Sequence, residues 1–158
     1  MSSHFKFYTK KDVLSLTRLR KFETKLGERL QVLSNINDIE SSLKNSKAKF
    51  VLFGIPEDIG VKANGGVGGT DSCWVSFLQS FLNIQSNDFL DGQEILLLGH
   101  FDFREIEKLI ESNAYTTEEK LSAYRHAVTI VDTAVEQIMH LITQNKKLPI
   151  VIGGGPSS

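Results

Sequence analysis

Glycines and polar residues are concentrated in one connection, residues 55–71, and this is where the chain could hold a ligand. Half of the chain's twelve glycines lie in or just before it, at positions 54, 60, 65, 66, 68 and 69. Its polar side chains are Glu57, Asp58, Lys62, Asn64 and Thr70. Glycine permits close approach of backbone to a ligand, and connections of this length are often lids or binding loops. A turn or a helix cap explains each glycine singly, but together they predict a binding loop.

The same glycines match neither of the common phosphate-binding motifs. A Walker loop needs Gly-Lys followed by Ser or Thr, and this sequence does not occur in the chain. Residues 65–69 lie well past the end of the preceding apolar run, whereas the dinucleotide fingerprint needs a tight first turn. One hypothesis is a small-ligand or nucleotide-binding domain that uses the loop between Gly54 and Asp71, but neither phosphate-binding motif supports it.

Two further positions carry reactive groups. His100 and Asp102 follow an apolar run and flank Phe101. Metal ligation needs more ligands than these two, and none is near them in sequence, so we interpret them as part of a polar loop. Cys73 lies near a predicted helix N-terminus, which can lower the pKa of a thiol. No histidine is an evident partner for it, and we interpret it as an inert, partly buried thiol.

A polar stripe lies on the longest predicted helix. Asp132, Glu136 and His140 are spaced at i, i+4 and i+8, which places them on one helix face. A metal site is one interpretation of this spacing. A solvated face with a modest Glu–His pairing explains it better.

Three continuous apolar runs organise the chain from residue 50 onward. They cover residues 50–53, 95–98 and 148–152, and each ends at a glycine. Uninterrupted runs are typical of strands covered on both faces, as in parallel sheets. Between them lie a helix carrying Trp74, Phe77 and Leu78 and a long helix that begins near Thr116. Alternation of strands and helices predicts βαβ crossovers and a doubly wound α/β sheet.

The long helix is the clearest single element of the chain. Thr116 and Glu119 have the spacing of a capping box. Its apolar residues recur at alternating spacings of four and three, which is typical of a helix with one buried face. They are Tyr124, Val128, Val131, Val135, Ile138 and Ile142.

Residues 1–47 are more polar and irregular, and we interpret them as an N-terminal extension with short helices. The pattern predicts helices over residues 12–19 and 37–43 and a brief strand over residues 30–33. Residues 48–158 would then form the α/β domain.

Composition limits the classes of partner. The net charge is −1, so no overall field attracts nucleic acid or an anionic membrane. No apolar run has the length of a membrane span, and the N-terminus lacks the apolar segment of a secretory signal. The single cysteine excludes an intrachain disulfide. We expect a cytoplasmic protein without nucleic-acid or membrane partners.

The residues that follow position 50 resemble the ureohydrolase family, which includes arginase, agmatinase and formimidoylglutamase. The matching stretches are Phe-Val-Leu-Phe-Gly-Ile-Pro-Glu-Asp-Ile-Gly over residues 50–60, with Asn64, Gly65, Gly68 and Gly69 after it. Residues 74–83 and 90–99 look most like the formimidoylglutamase branch. Residues 147–155 resemble the strand before the first metal ligand of that family.

The resemblance implies a fold, a cofactor and a reaction. The fold is a three-layer α/β/α arrangement with a mainly parallel, arginase-like sheet, of which this chain would hold an incomplete part. A pair of manganese ions would activate a bridging water that attacks a guanidino or formimino carbon. In this branch the substrate is N-formimidoyl-L-glutamate, hydrolysed to L-glutamate and formamide in histidine degradation. The loop with Asp58, Asn64 and Gly65 is expected to form the rim of the substrate pocket.

The end of the chain departs from the family pattern. The resemblance places a manganese-binding histidine after the glycines at 153–155, and here Pro156 has no side-chain donor atom for a metal. The family's later ligand motifs, rich in aspartate and histidine, would lie beyond Ser158. We therefore expect the N-terminal part of a larger hydrolase, inactive by itself, with no catalytic residue, no metal ligand and no manganese bound to this chain.

The main alternative is a non-enzymatic α/β interaction module. A half-sheet leaves the edge of an apolar strand unpaired, and such an edge pairs readily with another chain. We expect a homo-oligomer on both the interaction-module and the hydrolase hypotheses. It would form through the open strand edge or through the long helix.

Overall fold

The chain folds as a mixed α/β structure, which confirms the predicted class. The computed structural model describes residues 4–56, 59, 62, 72–113 and 116–153. The strands within these residues are β1 (Phe5–Phe7), β2 (Phe50–Ile55), β3 (Ile95–Phe101) and β4 (Leu148–Gly153). The helices within them are α1 (Lys10–Ser15), α2 (Leu26–Arg29), α3 (Ile39–Asn45), α4 (Ser72–Phe81), α5 (Arg104–Asn113) and α6 (Thr117–Gln144).

The strands form one open, mixed sheet with the order β1-β3-β2-β4. Strands β2, β3 and β4 are the three predicted apolar runs, and β2 pairs in parallel with both β3 and β4. Strand β1 pairs antiparallel with β3 and was not predicted. It has only three residues, too few for a periodic pattern to stand out.

Two hydrophobic clusters contain alternate residues of the strands. Val51 and Phe53 of β2 belong to one cluster, and Leu52 belongs to the other. Residues of α6 pack in the first cluster, and Trp74 and Leu78 of α4 pack in the second. Strand residues that point alternately to two apolar clusters explain why the runs are continuously hydrophobic.

Helix α6 follows the predicted stripe. Its buried residues are Tyr124, Ala127, Val131, Ala134, Ile138 and Ile142, with Val128 and Val135 partly buried against the same cluster. Thr116 caps the helix, because its hydroxyl accepts a 3.1 Å hydrogen bond from the Glu119 amide. Helix α5 was not predicted; none of its residues is fully buried, but Ile106 and Ile110 pack against the first cluster.

Residues 4–47 pack on the same sheet rather than lying apart from it. Tyr8, Val13 and Leu30 belong to one cluster and Leu43 to the other. The strand predicted over residues 30–33 is wrong: residues 26–29 form α2, and only Gln31 bridges β3, opposite Leu96. Helix α2 is capped by the Glu28 carboxylate, which accepts a bond from the Lys25 amide.

A bulge in β3 shapes the end of the sheet. Leu52 pairs with Leu97 but Phe53 pairs with Gly99, so Leu98 is an extra residue. Gly99 has φ of 147°, a conformation that residues with a Cβ rarely adopt. Its backbone lies so close to β1 that an added Cβ would stand 1.9 Å from the Lys6 carbonyl oxygen. Glycine is therefore required for β1 to pair at this point.

Candidate functional site

A cavity of about 400 Å³ lies at the carboxyl ends of β2 and β3. This is the edge of a parallel sheet at which α/β proteins bind their ligands. The residues that line it come from β1 and the position after it, from the position after β2, from the end of β3 and the two positions after it, and from α4 and α5. They are Lys6, Tyr8, Pro56, Trp74, Val75, His100, Phe101, Asp102, Phe103, Arg104 and Glu107.

The antiparallel pairing of β1 with β3 brings the polar side chains of the cavity together. Lys6 is the direct partner of His100 in the register of the two strands. Side chains directly opposite one another in a sheet project from the same face. The prediction that His100 belongs to a polar loop is therefore wrong, because β3 continues to Phe101 where β1 pairs with it.

Trp74 enters the same region from α4 and is almost fully buried. Its indole ring packs directly over Gly54 of β2, where an added Cβ would lie 2.4 Å from the ring. A glycine at this strand end thus allows a large aromatic ring to approach the backbone of the sheet.

Trp74, Tyr8 and His100 form a hydrogen-bonded chain. The indole Nε1 of Trp74 donates to the Tyr8 hydroxyl over 2.8 Å. The Tyr8 hydroxyl lies 2.6 Å from Nδ1 of His100. Because the indole can only donate, the arrangement that satisfies every group has the Tyr8 hydroxyl donating to Nδ1. In a neutral ring the imidazole proton is then on Nε2.

Burial favours the neutral forms of His100 and Tyr8. It lowers the pKa of His100 below its ordinary value of 6.5, and the nearby Asp102 carboxylate only partly opposes this. Burial also raises the pKa of Tyr8 above 10.0, partly offset by the bond from Trp74. At neutral pH the cavity therefore presents a neutral imidazole whose accessible nitrogen is a donor, a group suited to binding an acceptor rather than to removing a proton.

Asp102 and Arg104 form a tight ion pair at the mouth of the cavity. Arg104 donates from Nε over 2.9 Å and from a terminal nitrogen over 2.6 Å, and its backbone amide also donates to Asp102. The side-chain bonds from Arg104 are the main reason that the pKa of Asp102 falls from 3.8 to about 2. The carboxylate is thus held ionised and pointing at Arg104.

This pair predicts a pH-dependent contribution to stability. The pKa of Asp102 is depressed on folding, so the contribution is present above about pH 4 and is lost as the pH falls toward 2. Because the pair is partly exposed, we expect Asp102→Asn to lower the free energy of unfolding by only about 1 kcal/mol at pH 7. Urea unfolding of both proteins at pH 7, 4 and 2 measures this.

Asp132→Asn on the exposed face of α6 is the matched control. It removes a carboxylate on a solvent-exposed helix face and should change the free energy of unfolding at pH 7 by less than about 0.5 kcal/mol. A difference between wild type and Asp102→Asn that persists at pH 2 would contradict an ionic origin.

Ile59 and Lys62, two residues of the glycine-rich connection, contact the helices beside the cavity. Ile59 is fully buried in the cluster that packs on α6. The ammonium of Lys62 lies 3.8 Å from the Glu107 carboxylate and 5.5 Å from the centroid of the Tyr124 ring. Ile59 and Lys62 therefore pack against α5 and α6, and Glu107, the partner of Lys62, also lines the cavity. The candidate residues Asp58, Asn64 and Gly65 lie outside the described residues.

The remaining candidates are separate from this cavity. Asp132, Glu136 and His140 are exposed, as a solvated helix face requires. Cys73 is exposed, so the prediction of a partly buried thiol is wrong. It lies on the solvent side of α4 because the neighbouring Trp74 takes the buried side.

The described side chains do not fit the manganese pair that the family resemblance implies. In the described part of the chain, no three His, Cys, Asp or Glu side chains are grouped as a metal site would require. His100 has Nδ1 engaged by Tyr8, and Asp102 has both oxygens engaged by Arg104. These two groups are by themselves too few to hold a pair of metal ions.

No family model, curated protein or solved structure matches the chain. Among the described residues, no helix has the length and apolarity needed to cross a bilayer. Fold and site together define an α/β protein with a small polar cavity at the carboxyl edge of its parallel strands. Sequence reasoning did not find Lys6 and Tyr8, because only strand pairing brings them to His100.

Proposed function

We propose that this chain is the N-terminal part of a formimidoylglutamase-like, manganese-dependent C–N hydrolase and is inactive by itself. The resemblance of residues 50–69 to the ureohydrolase family supports this. The observation that carries most weight is the contact of Lys62, from the glycine-rich connection, with Glu107, which lines a cavity at the carboxyl ends of β2 and β3. That edge is where a hydrolase with this type of sheet would hold its substrate.

The proposal gives each part of the chain a role. The two hydrophobic clusters would be the cores between a central sheet and two helical layers, an arginase-like α/β/α arrangement. Asp58, Asn64 and Gly65 would form the rim that contacts a small-molecule substrate. The surrounding compartment would be the cytoplasm, consistent with a chain that has one cysteine.

The proposed inactivity rests on which metal-ligating side chains are present, and not on the fold. Hydrolysis by two manganese ions needs several carboxylate and imidazole ligands around a bridging water. At the position where the resemblance places the first of these ligands, the chain has Pro156. His100 and Asp102 are too few to hold two ions, so the remaining ligands would have to come from outside the described residues.

Manganese binding and hydrolysis test the proposal directly. The 158-residue protein is incubated with N-formimidoyl-L-glutamate and Mn²⁺, and formamide release and metal stoichiometry are measured. We expect neither formamide above the buffer rate nor stoichiometric manganese, with an active formimidoylglutamase as positive control. Turnover together with tight manganese binding would overturn the inactive assignment.

The encoding gene tests the family assignment separately. Translation in all three frames past the codon for Gly155 should reveal a histidine followed by two aspartate-rich stretches. Absence of these motifs from every frame would count against a hydrolase parent even if the isolated chain proves inactive.

The open edge of β4 supports a second candidate, a module that self-associates. Strand β4 pairs only with β2 among the described strands, and Leu148 and Val151 are 61% and 37% exposed. The amide of Leu148 points toward β2, donating to the Lys49 carbonyl over 2.9 Å. By alternation the amides of Val151 and Gly153 point outward, and Pro149 has no amide hydrogen to expose.

This pattern fits antiparallel pairing with a second copy of β4 about a two-fold axis at Val151. Val151 would exchange a pair of hydrogen bonds with its counterpart, and Gly153 would donate to the carbonyl of the counterpart of Pro149. We expect light scattering to show a dimer that Val151→Lys converts to a monomer. Gln137→Lys, on the exposed face of α6, should remain dimeric. A monomeric wild type at high concentration would refute this candidate.

A further inference from the structure

One ring nitrogen of His100 is available to a ligand. Nδ1 is engaged by Tyr8, and Nε2 has no hydrogen-bond partner among the described residues. In the same part of the chain, no buried side-chain nitrogen or oxygen lacks a partner. Nε2 is therefore accessible from the cavity that His100 lines. It carries a hydrogen, so it can donate to an acceptor group of a ligand.

A cation lies beside this donor. Lys6 is the cross-strand partner of His100, which places its side chain on the same face of the sheet. The structure records no ion pair for Lys6 within the described residues. The other charged groups of the cavity are engaged: Asp102 with Arg104, and Glu107 with Lys62 at 3.8 Å. Lys6 is thus the charge that a ligand would meet.

Part of the cavity wall is apolar. Trp74, Val75 and Pro56 line it, and the volume of about 400 Å³ is within the range of roughly 300–1,000 Å³ of small-ligand pockets. We propose that this cavity binds a small carboxylic acid, with the carboxylate held by Lys6 Nζ and His100 Nε2 and the carbon chain against Val75, which is 47% exposed. Charge-assisted hydrogen bonds of this kind are about twice as strong as neutral ones.

This binding site does not depend on the proposed hydrolase. The contacts from Lys6 and His100 to the carboxylate need no metal, so absence of turnover leaves the site intact. Conversely, absence of carboxylate binding would leave the family assignment intact.

Imidazole NMR of the full chain tests the proposal with glutarate as the probe. The chain has four histidines, so long-range ¹H–¹⁵N spectra can resolve each ring. We expect the free protein to show His100 with its proton on Nε2. Glutarate should then shift the His100 signals saturably and leave those of His126 and His140 unchanged.

Variants and a neutral analogue complete the test. Lys6→Met and His100→Gln should each weaken glutarate binding by about tenfold or more, since each removes one charge-assisted contact. Lys11→Met, an exposed lysine of α1, should bind as wild type does. Lys6→Met changes an exposed side chain and should fold normally. Equal binding of glutaramide, unshifted His100 signals, or wild-type affinity in Lys6→Met would each overturn the proposal.

Discussion

A Gly99→Ala variant is expected to lose about 3 kcal/mol of its free energy of unfolding. Two effects act together at this position. The φ of 147° strains any residue with a Cβ, and the new methyl group would stand 1.9 Å from the Lys6 carbonyl oxygen. Because that atom is backbone, the clash is relieved only if β1 moves away from β3. Tyr8 would then separate from His100, and the hydrogen-bonded chain would break.

Denaturant unfolding followed by far-UV circular dichroism measures this loss. Lys6→Ala is the matched control, because it keeps the carbonyl oxygen and removes only an exposed side chain. It should change the free energy of unfolding by less than about 0.5 kcal/mol. A Gly99→Ala protein as stable as wild type would show that β1 does not pair with β3 as described.

Gly54→Ala should cost about 2 kcal/mol through a different mechanism, overpacking in the second hydrophobic cluster. The added methyl group would lie 2.4 Å from the ring of Trp74. The indole is almost completely buried and donates to Tyr8, so it cannot move without breaking that bond. The chain has one tryptophan, and its fluorescence should report the displacement of the ring.

A double-mutant cycle separates the clash with Trp74 from any effect on the strand. In a Trp74→Leu background the ring is gone, and Gly54→Ala should cost less than about 0.5 kcal/mol. The coupling free energy between the two positions should therefore be at least about 1 kcal/mol. Equal costs in both backgrounds would show that Gly54 is required by the backbone of β2 and not by the indole.

The parts of the fold that could be predicted from sequence are those with long, periodic hydrophobic patterns. The runs at residues 50–53 and 95–98 predicted β2 and β3, because a strand covered on both faces must be apolar throughout. The run at residues 148–152 also predicted a strand, β4, but the expectation that it is buried is wrong, because none of its residues is buried at this edge of the sheet. The stripe beginning at Tyr124 predicted α6 for the corresponding reason. Strand β1 has three residues, too few for a pattern to be recognised. Helix α5 was missed although Ile106 and Ile110 recur at helical spacing and pack against the first cluster.

Sequence by itself determined that the chain is α/β, that its apolar strands meet glycines at one edge, and that His100 and Asp102 lie near that edge. The cavity was decided only by the tertiary structure. Tyr8 is separated from His100 by 92 positions and from Trp74 by 66, and no local spacing relates them. They meet because the bulge at Gly99 lets a three-residue strand pair with β3 and because Gly54 leaves room for an indole ring. Local patterns record which side chains must be buried, whereas a site assembled across strands depends on which backbones can approach one another.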